Sequence, residues 1–562
     1  MLNFILNNSV VRLKETVIDG GYCIGCGGCS VLDDSPFKIE MNDDGCLQAK
    51  FYNNSTTSGK ENYLSVCPFA EDSLDEDRIG RMLFHSCANH DDLIGYYQDL
   101  FAGHVINEND RNDSSSGGLT KWLLSKLLEE QKVDKVICVV RASKEKEGNL
   151  FKYSVVETPS QLYANAANSA YYPVEMSKVL EYVKDNDFKY AIVGVPCFVK
   201  SIQLLKKEYK VFNERILFTV GLVCGHLKSK YYSEMIGWQL GVKPDELGEI
   251  NFRKKQSGRK ANEKGIEIKS INNQMEVVEG NVKELFGTNY GHGYFKYKAC
   301  DFCDDVFAET ADVTFGDAWL PRYIDDEKGN NIVVIRNKQV STLVKNGIEK
   351  GELNLDSLNK DDLIQSQESG INHKRKGLAI RISEEAKLNR WVPSKRINKL
   401  GDETLESKKE IYKIRTEIRE NSFRAFKNAK RVQDFQQFKN QMGDVLVKYS
   451  QAYSQLFKET YFNKLQLPDH SFKCYIFGSG ELGLYVQQKL NVKGIQVLGF
   501  IDSDSRKIGQ YYNGLKTYSP YAIEGEIGSN EKIIIASSFY KEIIKFIYEL
   551  NLQKYLIEIN DE

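Results

Sequence analysis

Through the middle of the chain, short apolar runs alternate with stretches whose apolar residues recur at helical spacing. Leu119, Trp122, Leu123 and Leu127 share one face and predict a helix entered through Ser-Gly-Gly. The run at 135–140 predicts a strand. Residues 190–195 predict a buried parallel strand leading into a helix over 198–207, and 216–223 repeats the strand. A further strand is expected at 312–315, closed by a turn at Gly316-Asp317-Ala318-Trp319. The front of the chain differs, with short strands such as 37–41 and polar turns around Asn53-Asn54. From about 340 to 467 the pattern turns charged and helical, as at 403–427, and reads as solvated helices linking domains. The tail resumes the alternation with a strand at 474–477, a helix at 484–490 and strands at 497–501 and 532–536. An α/β protein follows, with an α+β front end, a helical linker and a small C-terminal parallel sheet.

At 562 residues the chain exceeds a single core. The changes of pattern place domains at 1–90, 91–400, 401–467 and 468–562. A net charge of −2 and a pI near 6.5 leave no basic footprint, so no nucleic-acid partner is expected. No apolar run reaches the length of a membrane span, and residues 1–14 lack the charged start and cleavage site of a secretory signal. A cytoplasmic location is expected, which suits twelve reduced cysteines.

The first candidate chemistry is Cys23-Ile24-Gly25-Cys26-Gly27-Gly28-Cys29, three thiols that a Gly-rich loop can turn onto one centre. A 4Fe-4S cluster takes four thiolates, and in ferredoxin-type runs the last is followed by proline, as Cys67-Pro68 is here. Cys46 lies between the triplet and Cys67 and is the alternative fourth ligand. Zinc is the alternative metal, although its sites use pairs of CxxC more than an unbroken CxxCxxC. No second complete run follows, so one cluster is expected in the front end.

Four more cysteines are scattered. Cys197 and Cys224 each lie just past the carboxyl end of an expected parallel strand, where ligands of open α/β sheets gather. Cys300-Asp-Phe-Cys303 adds a CxxC, giving a second set of four, while each of Cys197 and Cys224 alone also reads as an inert buried thiol. The serines and glycines at 114–118 open a helix and suit either a phosphate or an ordinary N-cap and loop.

The tail carries Gly478-Ser-Gly-Glu-Leu-Gly483 between a strand and a helix, with Asp502 ending the next strand 19 positions after Gly483. That is the dinucleotide fingerprint of Gly478, Gly480, Gly483 and an acid for the ribose. A Rossmann-like nucleotide-binding domain is expected, against a docking domain with an empty crevice.

Ser114 to Gly118, Gly194-Val-Pro-Cys197, Leu222-Val-Cys-Gly-His226, Phe252-Arg253, Cys300-Asp-Phe-Cys303 and Ala311-Asp-Val-Thr-Phe-Gly-Asp-Ala-Trp319 occur in an order that resembles the coenzyme F420 hydrogenase/dehydrogenase beta-subunit family. Lys374-Arg375 also resembles part of its C-terminal pattern. The resemblance implies a ferredoxin-like iron-sulfur domain followed by an α/β flavin domain. It implies two 4Fe-4S clusters, held by Cys23, Cys26, Cys29 and Cys67 and by Cys197, Cys224, Cys300 and Cys303. FAD would lie along Ser115, Ser116, Gly117 and Gly118. The implied activity is an iron-sulfur, flavin-dependent oxidoreductase that takes electrons from ferredoxin or coenzyme F420 to a small organic substrate. The tail resembles units of sugar-modifying enzymes, which points to a nucleotide-sugar in cell-surface polysaccharide synthesis, with coenzyme F420 or a nucleotide as its ligand. An electron-transfer subunit serving a partner enzyme is the alternative.

Overall fold

Strands Lys135–Arg141, Tyr190–Gly194, Ile216–Leu222 and Val313–Asp317 are largely buried and run parallel at the centre of an eight-stranded sheet, as continuous apolar runs require. This computed structural model describes residues 8–52, 61–142, 148–272, 277–397, 406–468, 471–537 and 539–560. The turn expected at Asn53-Asn54 and residues 403–405 of the expected helix lie outside the described residues. Antiparallel strands complete the sheet: Asn331–Ile335, Asp99–Val105 and Leu353–Ser357 on one side and Phe151–Val156 on the other.

The chain divides into two units, 1–404 with 412–446 and 405–411 with 447–562. In the first unit the front end forms an antiparallel hairpin, Phe37–Met41 with Leu47–Phe51. Its Val17, Tyr22 and Phe37 pack in one cluster with Leu180, Ile192, Phe198 and Ile202 of the sheet and its covering helices. A separate three-stranded antiparallel sheet, Leu247–Lys254, Gly265–Ser270 and Val277–Asn281, is one that periodicity did not announce.

Two expectations are corrected. Gly316 and Asp317 are not a turn: they pair with Ile332 and Asn331 and extend the strand to Asp317. A side chain at 316 would lie 2.5 Å from Val223 Cγ2, so glycine here serves close strand packing. The charged stretch is helical, Glu406–Val432 and Phe435–Asn463, but is not simply solvated. Ile414, Ile418, Phe426, Ala429, Phe438 and Met442 are buried, and Phe295 stacks on Phe438 with centroids 5.8 Å apart. Charges on the opposite face obscure that apolar stripe.

The second unit has strand order Leu515–Tyr518, Gln496–Ile501, Lys473–Phe477, Glu531–Ile535, all parallel, with Tyr511–Tyr512 antiparallel at the edge. Helix Glu481–Val492 covers one face through Val486 and Leu490, and Tyr540–Glu549 covers the other through Ile547. No helix among the described residues is long and apolar enough to cross a membrane.

Candidate functional site

The front thiols meet because the glycines between them bend the chain. Gly25 and Gly27 have φ of +66° and +92°, and a Cβ at Gly27 would lie 2.6 Å from the Ser177 amide nitrogen. The result is a cavity lined by Cys23, Cys26, Cys29, Cys67 and Pro68 with an apolar surround. The Ala49 N–H donates to Cys23 Sγ at 3.2 Å, and Cys26 Sγ donates to Ser201 Oγ at 3.4 Å. Burial pushes the Cys23 thiol up to about 11, and burial with the neighbouring sulfurs of Cys23, Cys26 and Cys67 raises Cys29 well above the usual range. These groups are neutral thiols without a metal, and a bound metal would displace their protons.

Cys46 is not among the residues lining this cavity. It is buried against Tyr297, whose hydroxyl accepts from the Leu47 N–H at 2.8 Å, and it packs in one cluster with Cys300. Cys46→Ala is therefore expected to keep its full iron content on anaerobic purification; loss of iron with Cys67→Ala unaffected would reverse the choice between them.

The second set is assembled by the sheet. Cys197 lies in the first turn of helix Pro196–Glu208, directly after strand Tyr190–Gly194, and Cys224 lies two residues past the adjacent strand Ile216–Leu222. Cys300 belongs to the short helix Lys298–Phe302, with Cys303 just beyond. Burial, followed by the proximity of Cys303, Cys224 and Cys300, raises the Cys197 thiol well above its usual range. The Leu227 N–H donates to Cys300 Sγ at 3.1 Å. Lys374, buried beside them, donates from Nζ to Cys303 Sγ at 3.3 Å and to the Asp305 carbonyl. Among the described residues, no group of three or more His, Cys, Asp or Glu is arranged to hold a single metal ion. Soft thiols, amide donors to sulfur and a buried cation form a donor set that suits an iron-sulfur cluster.

Helix Pro196–Glu208 joins the two sets. Ser201, which meets Cys26, stands one helical turn beyond Cys197 and on the same face, about 5–6 Å between Cβ atoms.

An aromatic wall lies beside the second set. The His226 ring stacks on Tyr290 at 3.8 Å, and its buried Nε2 has no partner. Burial and the cations Lys228, Lys296 and Lys374 push its pKa well below the usual value, so the ring is neutral. Tyr171 meets Tyr290 and Phe252 edge-on. Next to it Arg253 grips Asp317 with two hydrogen bonds of 2.6 and 2.9 Å.

The loop with Ser115, Ser116, Gly117 and Gly118 leads into helix Leu119–Glu129, with Gly118 left-handed at φ +85°. Ser116 Oγ donates to the Asn330 carbonyl at 3.0 Å, and the Leu119 N–H donates to Asn331 Oδ1 at 3.3 Å. A Cβ at Gly117 would lie 2.6 Å from the Gly103 carbonyl, so this glycine answers to packing. Arg111, Lys255 and Lys264 surround the loop. Sequence reasoning missed all three, and only the adjacency of Lys255 to the Phe252-Arg253 motif gave a signal.

In the second unit the three glycines divide their roles. A Cβ at Gly483 would lie 1.9 Å from the Gly478 carbonyl oxygen, whereas one at Gly480 would meet nothing within 4 Å. Gly483→Ala is expected to destabilise this unit by about 1–3 kcal/mol and Gly480→Ala to leave it unchanged, read as thermal unfolding; equal losses would deny the division. Asp502 Oδ2 accepts from Ser479 N at 3.2 Å, Ser479 Oγ at 2.7 Å and Lys507 Nζ at 2.9 Å, so this acid holds its own loop.

Two family descriptions of the coenzyme F420 hydrogenase/dehydrogenase beta subunit match the first unit, its N-term over residues 100–181 and its C terminus over residues 187–361. Residues 470–558 match C2185-like, N-terminal. The chain is 30% identical over 244 residues to the uncharacterized protein MJ0725 of Methanocaldococcus jannaschii, covering 42% of this chain and 80% of that one. It is 22% identical over 369 residues to MJ1349 of the same organism, covering 62% and 93%. It is also similar to a chain of the F420-reducing NiFe hydrogenase complex from Methanosarcina barkeri, with TM-score 0.41 and 17% identity over 54% of this chain and 98% of that one. The second thiol set, the Arg253–Asp317 pair and the Ser115–Gly118 loop all fall within the matched residues, and the front thiols fall outside them. The chain belongs to the coenzyme F420 hydrogenase/dehydrogenase beta-subunit family, whose members are electron-transfer proteins of the oxidoreductase class.

Proposed function

We propose that this chain is an iron-sulfur flavoprotein oxidoreductase that takes electrons from ferredoxin or coenzyme F420 and delivers them to a small organic substrate, with a nucleotide-sugar as the candidate. The observation that carries the reading is the single turn of helix Pro196–Glu208 separating Cys197 from Ser201, the partner of Cys26. Two thiol sets that close are suited to exchanging electrons. Cys23, Cys26, Cys29 and Cys67 would hold one 4Fe-4S cluster and Cys197, Cys224, Cys300 and Cys303 the other. When bound, the clusters supply one-electron relay sites and FAD couples single electrons to hydride delivery.

The chain's own residues prepare the sites. The Ala49 and Leu227 amides donate to Cys23 and Cys300 sulfurs, which stabilises thiolate. Lys374 offsets negative charge at the second set. The Tyr171, Tyr290 and His226 rings present a polarisable, largely apolar surface next to Cys224 that suits a flavin ring.

A second reading, an electron-transfer subunit with no substrate of its own, is favoured by the beta-subunit description of the matched family. Anaerobic purification with iron, sulfide and flavin analysis tests the cofactors. Reoxidation of the reduced protein by a nucleotide-sugar supports the enzyme, reoxidation by a partner protein alone supports the subunit, and a colourless protein without flavin rejects both.

A further inference from the structure

Past helix Lys376–Lys387 the chain runs through 391–397 without regular secondary structure, yet this strap is held along its length. Trp391 meets Tyr22 edge-on at 5.4 Å, and its carbonyl accepts from the Tyr22 hydroxyl at 3.0 Å. Lys395 is buried and sets its Nζ over the Phe69 ring at 4.6 Å. Tyr22 and Phe69 both line the front cavity, so the strap lies against its wall.

Arg396 follows, with its side chain 7% exposed. On the front side it donates from Nη1 to Asp77 Oδ1 at 2.6 Å, and its Nε lies 3.9 Å from Glu76 Oε2. Both acids open helix Glu76–Phe84, which comes soon after Cys67-Pro68 in the chain. On the sheet side Nη1 and Nη2 donate to the two carboxylate oxygens of Glu309 at 2.6 and 2.9 Å, and Nε donates at 3.3 Å to Oδ2 of Asp304, the residue after Cys303. Glu76 pairs in turn with Lys200 at 3.2 Å, next to Ser201 on the helix that carries Cys197.

Glu76, Asp304 and Glu309 are buried carboxylates that are costly to hold out of water without cations. A guanidinium answers them in several directions at once, which a single ammonium does less well. Its partners belong to distant parts of the chain. The fork is satisfied only while the front end and the loop after Cys303 stand in one arrangement. Apolar packing between them is non-directional and tolerates sliding, whereas a bidentate charged pair does not.

We propose that residues 391–397 form a clasp in which Arg396 is a positioning residue, fixing the front thiols relative to the set of Cys197, Cys224, Cys300 and Cys303. Without Arg396 each set keeps its own ligands, but the pair loses its fixed spacing.

The test uses full-length, anaerobically purified protein and its Arg396→Met and Arg396→Lys variants. Iron and sulfide analysis shows whether both sets are loaded. Paramagnetic resonance of the fully reduced protein then reads the magnetic interaction between the two centres, which falls steeply with their separation. The parent is expected to show split or broadened signals. Arg396→Met is expected to keep its iron and lose that interaction, and Arg396→Lys, which keeps the charge but not the fork, to lose part of it. Amide hydrogen exchange is expected to quicken in Arg396→Met over 76–84 and 304–309 and to stay unchanged over Leu247–Lys254.

The magnetic measurement rests on the two-cluster reading above, and the exchange measurement does not. A parent without iron removes that reading and leaves exchange to decide the clasp, quickened exchange supporting it and unchanged exchange overturning it. Should Arg396→Met fail to fold, Arg396→Lys decides, with a weakened interaction supporting the clasp and a full one overturning it. A loaded parent without magnetic interaction overturns the proposal, as does a folded, loaded Arg396→Met whose interaction equals that of the parent, even where its exchange quickens.

Discussion

Replacing Cys300 with alanine is expected to remove about half of the bound iron and leave the remainder in place, because two clusters of equal size would be held by separate thiol sets. Cys300 is buried with Cys224 and Cys303 as neighbours, and Cys46 packs in one cluster with it. The reciprocal variant, Cys26→Ala, is expected to lose the other half, since Cys26 lines the front cavity. Total iron, labile sulfide and the low-temperature paramagnetic signals of the reduced protein measure both losses. Melting temperature guards against a general failure to fold, because alanine at 300 also leaves a small void and frees the Leu227 N–H. Full iron in Cys300→Ala, in protein that is still folded, would refute the second site.

The second large effect is on reduction potential. Lys374→Met is expected to lower the potential of the centre held by the second set by on the order of 100 mV, from the loss of a unit charge a few ångströms from the sulfurs at an effective dielectric near 20. The sign follows from charge. Reduction adds an electron, a nearby cation stabilises the reduced state, and its removal makes reduction harder. Lys374 is buried and lies 3.3 Å from Cys303 Sγ, so solvent screens it little. Among the described residues no equivalent cation donates to the front thiols, where Glu175 is a charged neighbour of Cys26. The second centre is therefore expected to be the easier to reduce in the parent protein, and Lys374→Met to narrow or invert that order. A redox titration followed by paramagnetic resonance measures each centre separately. Unchanged potentials in Lys374→Met would remove this lysine from the account, and Lys374→Arg is expected to restore most of the shift.

Both effects depend on groups that differ in how far the sequence exposes them. Cys23, Cys26 and Cys29 are legible because their spacing is local, and the glycines between them do what the pattern anticipates, with positive φ at Gly25 and Gly27. The parallel strands and the helices after them are legible for the same reason, since side-chain periodicity depends only on nearby residues. Lys374 is less so: as one of two adjacent basic residues it matched a family pattern, but nothing in the pattern placed its Nζ on a cysteine. The helices Glu406–Val432 and Phe435–Asn463 are legible as helices and misleading as surface. Arg419 turns inward to Asp301 at 2.9 Å, and Phe426 and Phe438 bury against Phe295.

The sequence by itself determined the α/β class, the buried strands near 135–141, 190–194 and 216–222, the thiol-rich front loop and the glycine fingerprint of the tail, because each is written within a few consecutive turns or strand residues. Only the tertiary structure decided that Cys303, Cys224 and Cys300 neighbour Cys197, that Cys46 is not among the residues lining the front cavity, and that Lys264 Nζ is left without a hydrogen-bond partner. Those outcomes depend on which strands neighbour each other and how loops cross them, and pairing between residues a hundred positions apart leaves no periodic trace in the chain.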